Sequence, residues 1–179
     1  MLVSNNEEKI KKVRFWATQA RDQARHYQHS ELGFNYRMSN IVAGIGRGQL
    51  KVLDQRVAKK RYIFDFYKRE LGGLEDVQFM PINEWNEPNC WLSCITLSGK
   101  VRPLDIMEAL EKENIESRPI WKPMHMQPLF ADSISFPHYD DSYVGEEVFA
   151  RALCLPSGDG MKEEQIDFVV TELKNCFAK

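Results

Sequence analysis

Between Ser39 and Leu71 apolar residues return at helical spacing, through Ile41, Val42, Ile45, Leu50, Leu53, Val57, Tyr62, Ile63, Phe66 and Tyr67, and the run stops at Gly72-Gly73. That pattern predicts a long helical region, capped by Ser39, continuing or restarting after Asp54 and closed by the glycine pair. A helix of this length draws most of its stability from elements that cover its apolar stripe. The residues after Gly72 supply short, mixed elements. Trp91–Leu97 (WLSCITL), Ile115–Arg118 and Leu153–Leu155 predict strands, and Pro103–Glu113, Glu146–Ala152 and the amphipathic stretch Lys162–Phe177 predict helices. Upstream, Glu7 to about Ala20 predicts a helix with acidic residues in its first turn, and Met1–Ser4 reads as the end of a strand. The fold class that follows is α/β, with an α+β small domain of sheet and flanking helices.

Charge and composition exclude several function classes. The 179 residues carry 24 Lys+Arg against 26 Asp+Glu, a net charge of -2. Arg56, Lys59, Lys60, Arg61, Lys68 and Arg69 share the long helix with Asp54, Asp65 and Glu70, the mix of a solvated face. No nucleic-acid partner is expected. Ile41–Ile45, among the longest apolar runs, is far too short to cross a bilayer, and the first residues lack the order of a signal peptide. No membrane partner is expected, and the setting expected is cytoplasmic. Cys90, Cys94, Cys154 and Cys176 lack zinc-site spacing, so structural thiols are expected ahead of metal or redox sites, and no metal.

Two segments carry candidate chemistry. Gly33-Phe34-Asn35-Tyr36-Arg37-Met38-Ser39 places an amide, a phenol and a guanidinium just before a helix N-terminus, a set suited to phosphate. The same residues also suit a plain turn with Arg37 paired to an acid. Trp121-Lys122-Pro123-Met124-His125 holds an amine and an imidazole on a proline-stiffened loop beside an indole, which suits an anionic or ring-shaped ligand, or equally a rigid connection. Gly44, Gly46 and Gly48 match neither a dinucleotide fingerprint nor a P-loop, and close helix packing explains them better.

The blocks MLVSNNEEKIKKVRFWATQARD, HYQHSELGFNYRMSNIVAGIGRGQLKVLDQRV, RPIWKPMHMQP and CLPSG together resemble the DegT/StrS family of pyridoxal-phosphate-dependent sugar aminotransferases. Within it the chain is most similar to enzymes that aminate a UDP-linked 4-keto-6-deoxy-N-acetylhexosamine in the synthesis of bacillosamine-type surface sugars. The resemblance implies the C-terminal part of a fold-type-I transferase: residues 1–71 as the tail of the large coenzyme domain with interface helices, and 72–179 as the small domain. In the family the Schiff-base lysine lies shortly before the strand that resembles Met1–Ser4. The missing N-terminal half is therefore expected to hold it, no catalytic residue is expected here, and the chain alone is expected to be inactive. Pyridoxal phosphate is implied for the full-length enzyme only.

By the same resemblance Asn35 binds the coenzyme phosphate in a neighbouring subunit, and Tyr36 and Arg37 line that intersubunit site. His26, His29, Arg118, Lys122 and His125 border the nucleotide-sugar site. The implied partners are a nucleotide sugar, glutamate, the missing N-terminal half and a second copy in a homodimer or other self-association. Cys90 departs from the pattern, in which arginine precedes the residue matching Trp91. A non-catalytic nucleotide-sugar-binding or assembly module is the alternative.

Overall fold

The computed structural model describes residues 2–138 and 142–178, which form two compact units that divide between Val52 and Leu53. The first unit holds α1 (Glu7–Ala17), an irregular segment and α2 (Asn40–Leu50). The second holds α3 (Leu53–Leu71), β1 (Val77–Phe79), β2 (Ser93–Leu97), α4 (Pro103–Lys112), β3 (Arg118–Pro119), α5 (Val144–Arg151), β4 (Ala152–Leu155) and α6 (Glu163–Phe177). The long helical region thus restarts rather than continues.

In the first unit, each helix end is written in local chemistry. Asn6 caps α1 by accepting the Lys9 N–H at 2.9 Å, and Ser39 caps α2 by accepting that of Val42 at 3.2 Å. The sequence suggests that α1 runs to Ala20, but it stops at Ala17. Gln19 turns left-handed (φ 68), the Ala20 N–H reaches back to Phe15 O at 2.9 Å, and that of Gln19 to Trp16 O at 3.2 Å. This double closure satisfies carbonyls that the helix would otherwise leave open. Among the described residues Leu2 to Ser4 pair with no strand, against the strand end expected there, and Met1 lies outside those residues.

On α2, Ile41, Val42, Ile45 and Leu50 are exposed. A Cβ at Gly44, Gly46 or Gly48 would meet nothing within 4 Å, so the close helix packing expected of these glycines is not made among the described residues.

The second unit is built on one antiparallel sheet of order β1-β2-β4-β3. Alternation along β2 and β4 sends Ile95, Leu97, Leu153 and Leu155 to one face, where they pack with Ile63 and Tyr67 of α3, Ile106 and Leu110 of α4, and Ile166 and Leu173 of α6. This burial ties α3 to the sheet and places it in the second compact unit. Cys94, Thr96, Ala152 and Cys154 take the other face, which α5 crosses.

Strand β3 is shorter and later than the expected Ile115–Arg118. Asn114 adopts a left-handed conformation (φ 57), donating to Glu111 O at 2.9 Å while Ile115 N–H reaches Leu110 O at 2.9 Å. Ile115 is therefore spent on closing α4. Strand β1, three residues long, carries too little alternation to be legible in the sequence.

Candidate functional site

Each unit presents its own candidate surface. In the first, residues 33–36 run back across the end of α1. Phe34 N–H donates to Trp16 O at 3.0 Å, Gln19 N–H to Phe34 O at 3.1 Å, and Tyr36 N–H to Ala17 O at 3.0 Å, and Asn35 bridges Thr18. Gly33 makes this crossing possible: a Cβ there would stand 2.4 Å from Ala20 N. Asn35 Oδ1 accepts the Arg37 N–H at 3.3 Å, which leaves the amide Nδ2 unspent among the described residues. The Tyr36 ring stacks on Phe34, with centroids 5.6 Å apart, and is largely exposed.

Arg37 shares a recess of about 530 Å³ with Leu2, Ile10, Val13 and Arg14. Neither guanidinium has a carboxylate partner among the described residues, so two positive charges meet over an apolar floor. Sequence reasoning named Arg37 and missed Arg14. The signal lay in the α1 pattern, where Arg14 follows Val13 directly and Ile10 by one helical turn.

His26 and His29 sit in the same irregular segment. His29 bridges Arg21, with its Nδ1 2.8 Å from Gln19 O, and His26 Nε2 lies 3.2 Å from Gln28 Oε1. Arg21 stacks on Tyr27 at 4.2 Å. Glu31 accepts the Trp16 indole N–H at 2.7 Å and bonds Lys12. These donors hold its carboxyl below the ordinary carboxylate range.

The second unit carries a cleft of about 670 Å³ whose walls include Trp91, Arg118, Trp121, Lys122, Phe149 and Cys154. The two indoles stand 6.1 Å apart at 33°, both more than half exposed, and present apolar faces beside an amine and a guanidinium. Such a set suits a ring carrying negative charge. Arg118 is already paired with Glu116, Nη2 to Oε1 at 2.6 Å.

His125 lies outside that lining. Its Nε2 is 2.8 Å from Glu146 Oε1 on α5 and its ring lies 4.5 Å from that of Tyr143. The WKPMH loop thus sends Lys122 to the cleft and His125 to α5.

Residues of α3 read from sequence as solvated surface hold this cleft in shape. Lys60 Nζ donates to Trp91 O at 3.1 Å and to Ser157 O, and Arg61 Nε donates to Pro88 O at 2.9 Å. Cys90, between these anchors, is buried and left-handed (φ 49), and burial pushes its thiol up. No helix among the described residues is long and apolar enough to cross a membrane.

EpsN of Bacillus subtilis (strain 168), provisionally named a pyridoxal phosphate-dependent aminotransferase, is 51% identical over 177 residues, 99% of this chain and 46% of its own length. The GDP-perosamine synthase of Vibrio cholerae is 33% identical over 187 residues, 99% of this chain and 48% of its own. Among solved structures, Helicobacter pylori PseC, an aminotransferase involved in the biosynthesis of pseudoaminic acid, superposes with a TM-score of 0.83 at 18% identity, covering 98% of this chain and 48% of that one. The chain therefore spans about half the length of the relatives it matches, with the fold of part of a pyridoxal-phosphate aminotransferase. The profile of the DegT/DnrJ/EryC1/StrS aminotransferase family matches residues 1–174, and the chain belongs to that family.

Proposed function

We propose that this chain is the C-terminal portion of a cytoplasmic sugar-nucleotide aminotransferase that moves an amino group from glutamate to the C4 ketone of a UDP-linked 4-keto-6-deoxy-N-acetylhexosamine. Residues 1–71 form the tail of the coenzyme domain and its interface helices, and 72–179 the small domain. The observation that carries the reading is the 51% identity to EpsN along 99% of the chain. The exposed apolar face of α2 supports a further element of the enzyme, or a second copy in a homodimer, lying against it.

The residues present fit the phosphate of pyridoxal phosphate and not its aldehyde end. Asn35 has a spare amide donor and Arg37 a guanidinium without a carboxylate partner among the described residues, while no lysine among them lines the recess that Arg37 shares with Arg14. Asn35 and Arg37 hold the phosphate, and Tyr36 closes the site beside them. When bound, the coenzyme supplies the electron sink for amino transfer. The lysine that tethers it is assigned to the part of the enzyme outside these residues, which cover 46% of the length of EpsN.

The cleft residues do a different job. Trp91 and Trp121 flank the nucleotide ring, and Lys122 and Arg118 meet its diphosphate. His125, held by Glu146, fixes the loop that carries Lys122. Fluorescence titration of the indoles with UDP, GDP and UMP tests this reading. Quenching that saturates with UDP and weakens at least tenfold in Lys122→Ala is expected. Equal response to all three, or none, overturns the UDP assignment.

A further inference from the structure

Cys94 of β2 and Cys154 of β4 are direct cross-strand partners in the antiparallel register. Both lie on the sheet face away from the Ile95, Leu97, Leu153 and Leu155 core, and their Sγ atoms stand 3.7 Å apart. Directly opposed Cβ atoms of an antiparallel pair are spaced roughly as a disulfide requires, so side-chain rotation brings the sulfurs into bonding range. The row continues through Cys154 to its partner on β3, Arg118. Cys154 and Arg118 both line the cleft, which gives a small reagent a route to a sulfur that is otherwise buried. Among the described residues no third ligand completes a metal site there.

We infer that Cys94 and Cys154 are a redox modification site that closes into a disulfide by exchange with a low-molecular-weight disulfide of the glutathione class. One protein thiolate attacks the small disulfide, forming a mixed disulfide and expelling one thiolate. The second protein thiolate attacks the protein sulfur of that mixed bond and expels the other. Two protein thiols are oxidised, one small disulfide is reduced to two thiols, and the two protons pass to the departing thiolates. Burial, followed by the neighbouring sulfur, pushes the Cys94 thiol up to about 12, which slows attack by that sulfur near neutrality.

The crosslink closes a long loop containing β3, the WKPMH segment and α5, which removes freedom from the unfolded chain and fixes one wall of the cleft. This function for the thiol pair does not depend on the aminotransferase reading.

The test incubates the folded chain with oxidised glutathione at mildly alkaline pH, alkylates the remaining thiols and maps peptides without reduction. The expected product is a monomer in which Cys94 is joined to Cys154, lighter by the two thiol hydrogens, with Cys90 and Cys176 alkylated. Its melting temperature is higher by several degrees, reversibly with dithiothreitol. Cys176→Ser keeps the crosslink and the shift, and Cys94→Ser loses both. Alkylation of both Cys94 and Cys154 in the wild-type chain, or crosslinks scattered over all the cysteines, overturns the inference. The wild-type map decides the matter even where a serine variant fails to fold.

Discussion

Gly33 passes so close to Ala20 that a Cβ at position 33 would lie 2.4 Å from the Ala20 nitrogen and 2.7 Å from its Cβ. The obstacle is backbone, which cannot swing aside as a side-chain tip can. Gly33→Ala is expected to destabilise the first unit by about 2 kcal/mol, the scale of overpacking a tight contact. It also displaces Asn35 from its bridge to Thr18. Denaturant unfolding followed by Trp16 fluorescence measures the first effect, and faster proteolysis within residues 18–38 reports the second.

Asn114 holds the left-handed turn that closes α4. Replacing it with glycine removes the residual steric cost and is expected to gain about 0.5 kcal/mol, whereas the β-branched Asn114→Val is expected to lose about 1–2 kcal/mol. Equal stability of the two variants by thermal melting would contradict the assigned closure.

Ser93 and Ser157 look alike in sequence but differ in their bonds. The Ser93 hydroxyl is buried without a partner among the described residues, while Ser157 Oγ accepts the buried Ser93 N–H at 3.0 Å. Ser93→Ala is expected to be neutral or stabilising by up to about 1 kcal/mol, and Ser157→Ala to cost about 1–3 kcal/mol by orphaning that N–H. Urea midpoints at constant slope separate the two.

Lys60 joins Trp91 and Ser157 through their carbonyls. Lys60→Met keeps the aliphatic stem but drops both bonds. Faster amide hydrogen exchange is expected in residues 89–92 and 157–159, with the α3–sheet core unchanged. Uniform acceleration across the second unit would mean that Lys60 supports the whole fold rather than the cleft.

Glu31 gives the first unit an acid-sensitive contact. Its carboxyl is depressed by the Lys12 and Trp16 bonds, so the folded form binds its proton less readily than the unfolded form. The stabilisation is fully present above the ordinary glutamate value of about 4.3 and is lost as pH falls through the lower folded value. A Trp16 fluorescence change in that acid window is expected in the native chain and absent in Glu31→Gln.

What the sequence made legible follows from what determines each feature. Helices whose caps and periodicity are local, such as α2 at Ser39 and α6 through Ile166 and Leu173, could be read directly. The end of α1 and the start of β3 could not, because Gln19 and Asn114 adopt left-handed conformations without being glycine. The phosphate-type motif around Asn35 and Arg37 was visible as a string, but Arg14 joins it only in three dimensions. The WKPMH loop was visible as one cluster, yet its neighbours divide it, Lys122 to the cleft and His125 to Glu146. Lys60 and Arg61 looked like solvent-facing charge because their partners are backbone carbonyls far along the chain.

The most direct test of the account mixes this chain with the separately produced N-terminal half of the EpsN homologue, pyridoxal phosphate, amino-labelled glutamate and the UDP-linked 4-keto sugar. Labelled nitrogen at the sugar C4 is expected only when both halves are present, with a rate at least tenfold lower for Asn35→Ala. Amination by this chain alone, or full activity of the mixture with Asn35→Ala, would contradict it.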